Sequence, residues 1–387
     1  GGLSPMWHPL ALLLALATQS GADLPPPADG GSCPADGCGG ADEGVEGRTS
    51  RWGGGRPRSL RSLGTPLGHV EVRDTLPSAA EVASHYLNPV GHPVLIRGAA
   101  QHILRNSRVA DWTDEWLTER YPDVMIDAEK ERIETRDAAH RRMKLKAFLK
   151  RYAMKEKPLY SVTPVHASVI GEEFQLPPFL GCGKWLERLQ SAVLWLGRYE
   201  TKSVLHNDDV DGMMCLLSGI KRWYYIDKRH TDKVTSKACG WNVAEETGRG
   251  YGEFVRMDVD DVRPQIQECY ESLEWYHADM QAGDCLLTPT GWFHQVNSEG
   301  RALGLLMWAY AVPDFNRTSA VACTEDELDR RPLTELKWHD DAEVDFLVQD
   351  ERWTVEWLRA NAPDHPYLDV LEAQIDDRSA ASEAGAE

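Results

Sequence analysis

Basic side chains are scarce in this sequence. Lys and Arg total 42 against 61 Asp and Glu, a formal charge of −19 over 387 residues. Phosphate backbones and anionic headgroups need a basic face, so nucleic acid is excluded as a first reading. Long apolar runs are missing as well. The run over residues 10–17 has eight residues, against the roughly 20 that span a bilayer as a helix, and no other stretch is long enough, so no stable membrane span is expected. Cys33 and Cys38 have no second Cys or His pair at zinc-finger spacing, which excludes structural zinc there. No internal repeat is evident.

What is present is enough for a core: 42% of the residues are hydrophobic. The two ends differ from the middle. Residues 1–22 read as a secretory signal peptide that begins at Met6, with five residues ahead of its start and the short apolar run at its centre. Residues 23–64 read as a disordered linker, because Arg48, Arg51, Arg56, Arg58 and Arg61 sit there among Gly, Pro and Ser. Residues 340–387 carry 14 acidic and 3 basic side chains, a net of −11, so residues 321–387 form an acidic, partly helical region. Within it Trp353, Val355, Trp357 and Leu358 form an apolar cluster that either packs on the body or makes a homodimer seam. Eight cysteines and the acceptor Asn316-Arg317-Thr318 fit an oxidising compartment, the lumen of the endoplasmic reticulum or the exterior. Cys182, Cys239, Cys269 and Cys323 are the disulfide candidates, while Cys215 and Cys285, inside apolar strand-like runs, read as buried free thiols.

Between the ends the pattern is that of a β-rich body. A short helix is expected over residues 111–121 with Thr113 as N-cap, and another over 144–152. Strands are expected at 92–98, 159–165, 192–197, 204–206, 213–217, 220–226, 284–289 and 302–310, with Ser218-Gly219 as a hairpin turn. Many short strands with flanking helices predict a sandwich or barrel.

The stretch Ser203-Val-Leu-His-Asn-Asp208 carries the chemistry. Residues i and i+2 of a strand share a face, so His206 and Asp208 can offer an imidazole and a carboxylate to one ion. His294 lies where a strand enters the turn Pro289-Thr-Gly-Trp-Phe-His294, which can bring it across a barrel. Two histidines and a carboxylate form the facial triad of non-haem Fe(II) oxygenases, leaving positions open for a 2-oxo acid and dioxygen. Lys221, in an otherwise apolar strand, must either snorkel to water or find an anion. The far carboxylate of 2-oxoglutarate is one, with the Ser203 hydroxyl beside it. Asp209 and Asp211 read as solvated loop charge, and Trp223 and Trp292 as packing.

On these residues, together with the Pro93-Val-Leu-Ile-Arg-Gly98 and Leu194-Trp-Leu-Gly197 strands, Gly283-Asp284 and Trp308, residues 70–310 resemble the JmjC domain of the cupin-like 2-oxoglutarate-dependent oxygenases, in their small hydroxylase branch. The resemblance implies a mainly β fold, a double-stranded β-helix with flanking α-helices, over residues 65–320. It implies iron held by His206, Asp208 and His294, and 2-oxoglutarate held by Ser203 and Lys221, with Tyr160 a further candidate in that pocket. It also implies dioxygen as co-substrate and a protein or peptide as substrate. Two departures stand out. Ser203 replaces the commoner threonine, and Leu306-Met307-Trp308 lacks an asparagine that many members place beside the cofactor. The rival reading is a catalytically inactive scaffold that uses the barrel and the acidic tail for protein contacts.

Overall fold

The chain divides into two units, Gly1–Gly55 and Arg56–Glu387. The computed structural model describes residues 57–87, 91–129, 133–134, 140–154, 159–208, 210–234, 236, 239, 258–310, 327–339 and 359, all in the second unit. Asn316, Cys323, the apolar cluster from Trp353 to Leu358 and the expected signal peptide lie outside them.

Among the described residues thirteen strands follow in order: β1 (Thr65–His69), β2 (Glu71–Arg73), β3 (Val94–Ile96), β4 (Met125–Glu129), β5 (Ile133–Glu134), β6 (His140–Lys144) and β7 (Tyr160–Pro164), then β8 (Leu189–Gly197), β9 (Thr201–His206), β10 (Val210–Ile226), β11 (Glu274–Gln281), β12 (Cys285–Thr288) and β13 (Phe293–Tyr310). Their hydrogen bonds run β2-β3-β12-β10-β13-β8-β7-β4-β6, with β1 and β11 joined to β10 and with β5 and β9 joined to β13. The order is an open path, so the fold is a mainly β jelly roll whose sheet does not close on itself. Among the described residues no helix is long and apolar enough to cross a membrane.

β10 and β13 form the spine. They pair antiparallel from Val210–Tyr310 to Ile226–Phe293, and each serves two neighbourhoods. The first half of β10 pairs with β12, the second half with β11. Between the halves the expected hairpin at Ser218-Gly219 is instead a bulge inside one long strand. Gly219 has φ +86°, and a Cβ there would stand 2.2 Å from the Arg301 carbonyl oxygen, so the position bends the strand in a way only glycine permits. The same dipeptide that makes a two-residue turn here makes a bend, because β13 continues opposite it.

The helices match their expected places. Thr113 Oγ1 accepts from Trp116 N at 3.2 Å and caps Asp114–Arg120, a contact worth about 1 kcal/mol. Leu145–Tyr152 buries Leu145, Phe148, Leu149 and Tyr152, one face at the 3.6-residue period, against the sheet. The expected linker, however, ends too late. Leu60 and Leu63 are buried in a cluster with Tyr224, Ile226, Leu273 and Phe293, so the described residues 57–64 belong to the fold.

The thiol assignment is also corrected. Cys215 and Cys285 are opposite one another in β10 and β12, with Cα atoms 4.0 Å apart, and are joined as a disulfide. Read singly, each sits in an apolar run; only the register places the two sulfurs together. Cys239 and Cys269 form a second disulfide, and Cys182 is disulfide-bonded as well.

Candidate metal centre

The inner faces of the spine converge on one cluster. Alternation along β10 aligns Lys221, Trp223 and Tyr225, and along β13 it aligns His294, Val296 and Ser298. Trp223, Tyr225 and Val296 pack with Tyr160, Trp195, Met214, Leu286 and Leu306 from the rest of the sheet. Into this cluster β9 brings His206, the cross-strand partner of His294.

Asp208 follows just beyond the end of β9. Its backbone carbonyl accepts from Gly291 N at 2.9 Å, which ties it to the turn that precedes His294. The three ligand atoms of His206, Asp208 and His294 lie within 4.8 Å of one another, and His294 Nε2 is 3.8 Å from Asp208 Oδ2. Metal bonds of about 2.0–2.2 Å would draw cis donors to about 3 Å, so a small inward movement closes the group on an ion. Both imidazoles are buried, and both are already oriented. The His206 Nδ1–H donates to the Val204 carbonyl at 2.6 Å, and the His294 Nδ1–H to the Trp292 carbonyl at 2.9 Å. A carbonyl can only accept, so each ring is fixed with Nε2 carrying the lone pair and pointing at the partner ligands. The ring centroids are 4.2 Å apart.

Around the triad the walls are aromatic and the loose polar groups are donors. The Trp223 ring is 5.3 Å from that of His294, and Tyr225, its hydroxyl 2.6 Å from Thr288 Oγ1, lies 5.9 Å away. Burial pushes the Tyr225 hydroxyl far above its usual pKa. The indole nitrogens of Trp195, Trp223 and Trp308 are buried without a hydrogen-bond partner. Lys221, 2% exposed, donates from Nζ to Ser298 Oγ at 3.0 Å. An ammonium and several unanswered N–H groups in one interior suit an acceptor-rich anion. A 2-oxo diacid fits that description, and the two-imidazole, one-carboxylate set fits Fe(II). Tyr160 is buried beside Trp195 in the same cluster, and Ser203 is buried on β9 opposite Val296. Trp292 is packing, its indole donating to the Gly91 carbonyl at 2.9 Å.

Two residues of the site escaped the sequence reading. Ser298 lies opposite Lys221 across β10 and β13; its only sequence signal is its place four residues after His294 on the same strand face. Asp211, expected in solvent, is 3% exposed. Its Oδ1 accepts from Thr290 N at 2.9 Å and Thr290 Oγ1 at 3.0 Å, which braces the His294 turn, and burial raises its pKa. A carboxylate next to glycine at the start of an apolar strand was the available signal. Asp209 lies outside the described residues.

A jelly roll that brings two histidines and one carboxylate together at its inner face defines the class: a cupin-type domain with a candidate metal site. The chain belongs to the cupin-like domain family, whose model matches residues 79–315, more than half of the sequence. It is similar to Jumonji C domain-containing protein 5 of Drosophila melanogaster, 26% identical over 114 residues, or 30% of this chain and 26% of that protein. It is also similar to lysine-specific demethylase JMJ31 of Arabidopsis thaliana, 21% identical over 140 residues, or 36% of this chain and 24% of that protein. The chain thus spans about a quarter of the length of these curated relatives, and what it shares with them is the cupin-like JmjC domain.

Proposed function

We propose that the chain is an Fe(II)- and 2-oxoglutarate-dependent dioxygenase that hydroxylates a side chain of a secretory-pathway polypeptide. The observation that carries this is the pair of buried imidazoles whose Nδ1–H groups are spent on backbone carbonyls, beside Asp208 and within one interior with Lys221. His206, Asp208 and His294 would hold iron, and Lys221 with Ser298 and Ser203 the far carboxylate of the diacid; Tyr160 is a further candidate there. Bound iron supplies the redox chemistry by which 2-oxoglutarate and dioxygen yield succinate, carbon dioxide and a hydroxylated product.

The chain's own residues do the rest. The backbone carbonyls of Val204 and Trp292 keep both rings in the ligating tautomer, and Asp211 and Asp208 hold the Thr290-Gly291 turn in place. The buried aromatic wall of Trp223 and Tyr225 keeps bulk water from the site. The lumenal assignment is supported by the disulfides, the short apolar run after Met6 and the Asn316 acceptor.

A second reading has its own observation: Leu306, apolar and 8% exposed, packs in the interior cluster, and its stretch Leu306-Met307-Trp308 lacks the asparagine that many domains of the resembled family place beside the cofactor, as an inactive scaffold would tolerate. Succinate release from the purified chain, dependent on both iron and 2-oxoglutarate and stimulated by secretory-pathway lysate, separates the two. A methyl-lysine peptide in the same assay tests the reaction named for the Arabidopsis relative. No turnover under any of these conditions, with iron bound, would leave the scaffold.

A further inference from the structure

Basic charge is concentrated as well as scarce. Residues 141–151 hold six Lys or Arg and no Asp or Glu, in a chain of net −19. Arg141, Arg142 and Lys144 lie on β6, and Lys146, Lys150 and Arg151 on the helix Leu145–Tyr152 that continues it. The apolar residues between them turn inward and the cations turn out: Met143, Leu145, Phe148 and Leu149 are buried, while all the cations but the half-buried Arg151 are exposed. Lys144 meets Asp123 at 2.7 Å. Among the described residues the other five have no carboxylate within 4.0 Å, although Asp127 stands opposite Arg142 on β4.

The backbone there is open too. β6 ends the hydrogen-bonded path, paired with β4 on one side, and among the described residues no strand lies on its other edge. One or two cations suffice to blunt an exposed edge against self-association. Five without a close ion pair, continued onto a helix, instead make a field that draws anionic partners.

We propose that β6 is a docking strand for an extended acidic polypeptide segment. Strand addition would supply main-chain hydrogen bonds along the open edge, and alternate acidic side chains of the added strand would fall beside Arg142 and Lys144 on the outer face. A polypeptide is favoured over nucleic acid or an anionic membrane because only a polypeptide can pair with a strand edge. The inference goes beyond the oxygenase reading and needs neither metal nor diacid.

The test is fluorescence anisotropy of a short labelled peptide of alternating Glu and Val, titrated with the full chain without added iron. Saturable binding is expected. It should weaken roughly tenfold in the Arg141→Glu/Arg142→Glu double variant and fall as salt shortens the Debye length. It should be lost when alternate peptide amides are N-methylated. Both arginines are exposed, and circular dichroism of the variant verifies an intact fold. The proposal is overturned by absence of saturable binding, by equal affinity in the double variant, or by equal affinity of the methylated peptide, which would mean charge without strand pairing. Tighter binding of a single-stranded oligonucleotide or of phosphatidylserine vesicles would overturn it in favour of those ligands.

Discussion

Two groups of two imidazoles and one carboxylate stand on the described part of this fold, and their composition and spacing match. The inner group is His206, Asp208 and His294; the outer is His69, His277 and Asp279. Each has a His-x-Asp pair and a histidine from the neighbouring strand, and in each His Nε2 lies 3.8 Å from an Asp oxygen. What differs is what the other ring nitrogen does. In the inner group both Nδ1–H groups donate to carbonyls and both Nε2 lone pairs converge. In the outer group His69 donates from Nδ1 to the Val70 carbonyl at 2.8 Å, but its Nε2 already accepts from Asp279 N at 3.1 Å. His277 Nδ1 is buried with no partner, and Asp279 is half exposed with Arg222 Nε 3.6 Å away. A metal ligand needs a free lone pair and a supported far nitrogen. In the inner triad both far nitrogens are supported by carbonyls, whereas in the outer group His69 Nε2 is taken by Asp279 N and His277 Nδ1 has no partner, so proximity of ligand types alone does not make a site.

The contrast is broken most directly at the carboxylates. Asp208→Ala removes the one anionic ligand of the inner set and should lower Fe(II) or Mn(II) affinity by at least about 100-fold, more than the 10–100-fold typical of losing a supporting group. Asp279→Ala should leave both affinity and one-to-one stoichiometry unchanged. Isothermal titration of both variants checks the pair, and a second equivalent of ion that disappears with Asp279 would sink the distinction.

Next in size is Lys221→Ala. Removing one partner of a buried charge pair costs about 2–5 kcal/mol, so 2-oxoglutarate binding to the iron-loaded chain should weaken accordingly while iron binding stays near its original level. Calorimetry with the diacid reads both. Unchanged diacid affinity would end the proposed role of Lys221, and absence of diacid binding in the unsubstituted, iron-loaded chain would end the oxygenase reading.

Much of the inner site was legible in the sequence, for a physical reason. The His206-x-Asp208 spacing and a lysine inside an apolar strand are both visible without knowledge of the partner strand, although β9 ends at His206 and Asp208 is placed by its carbonyl contact with Gly291 N rather than by strand alternation. Ser298 and the Cys215–Cys285 bond were not legible, because each depends on which residue stands opposite across a ladder, and Asp211 was not because its partner Thr290 lies in a turn distant in sequence. Register is fixed by bulges such as that at Gly219, and a Ser-Gly dipeptide looks the same in a hairpin turn and in a bent strand. The outer triad shows the converse: its His-x-Asp pair carries the same sequence signal as the inner one, and only the hydrogen bonds separate them.

Smaller effects sharpen the comparison at the supporting groups. Asp211→Asn keeps an oxygen that can accept both hydrogen bonds from Thr290 but removes the carboxylate charge, a loss of about 1–3 kcal/mol. Thermal unfolding should show the lower stability, and metal affinity should fall by about 10-fold through the loosened His294 turn. A stability loss with metal affinity intact would confine Asp211 to packing.

The smallest effect is expected at His277. Phenylalanine has a ring of similar size that can keep the edge contact with His69, 5.0 Å between centroids, and the contact with Trp275 at 6.2 Å. It also removes a buried nitrogen that has no hydrogen-bond partner, and replacing such a group by carbon is nearly neutral or favourable. Against this stands the loss of a long, exposed contact to Asp279, of a kind worth about 0–1 kcal/mol. His277→Phe should therefore shift stability by less than about 1 kcal/mol, with metal stoichiometry still one, whereas His294→Phe, the equivalent change in the inner group, should abolish metal binding. Chemical denaturation and metal titration of the two variants side by side provide the measurement. If His277→Phe cost several kcal/mol or an equivalent of metal, the outer ring would have a partner that its hydrogen bonds do not reveal.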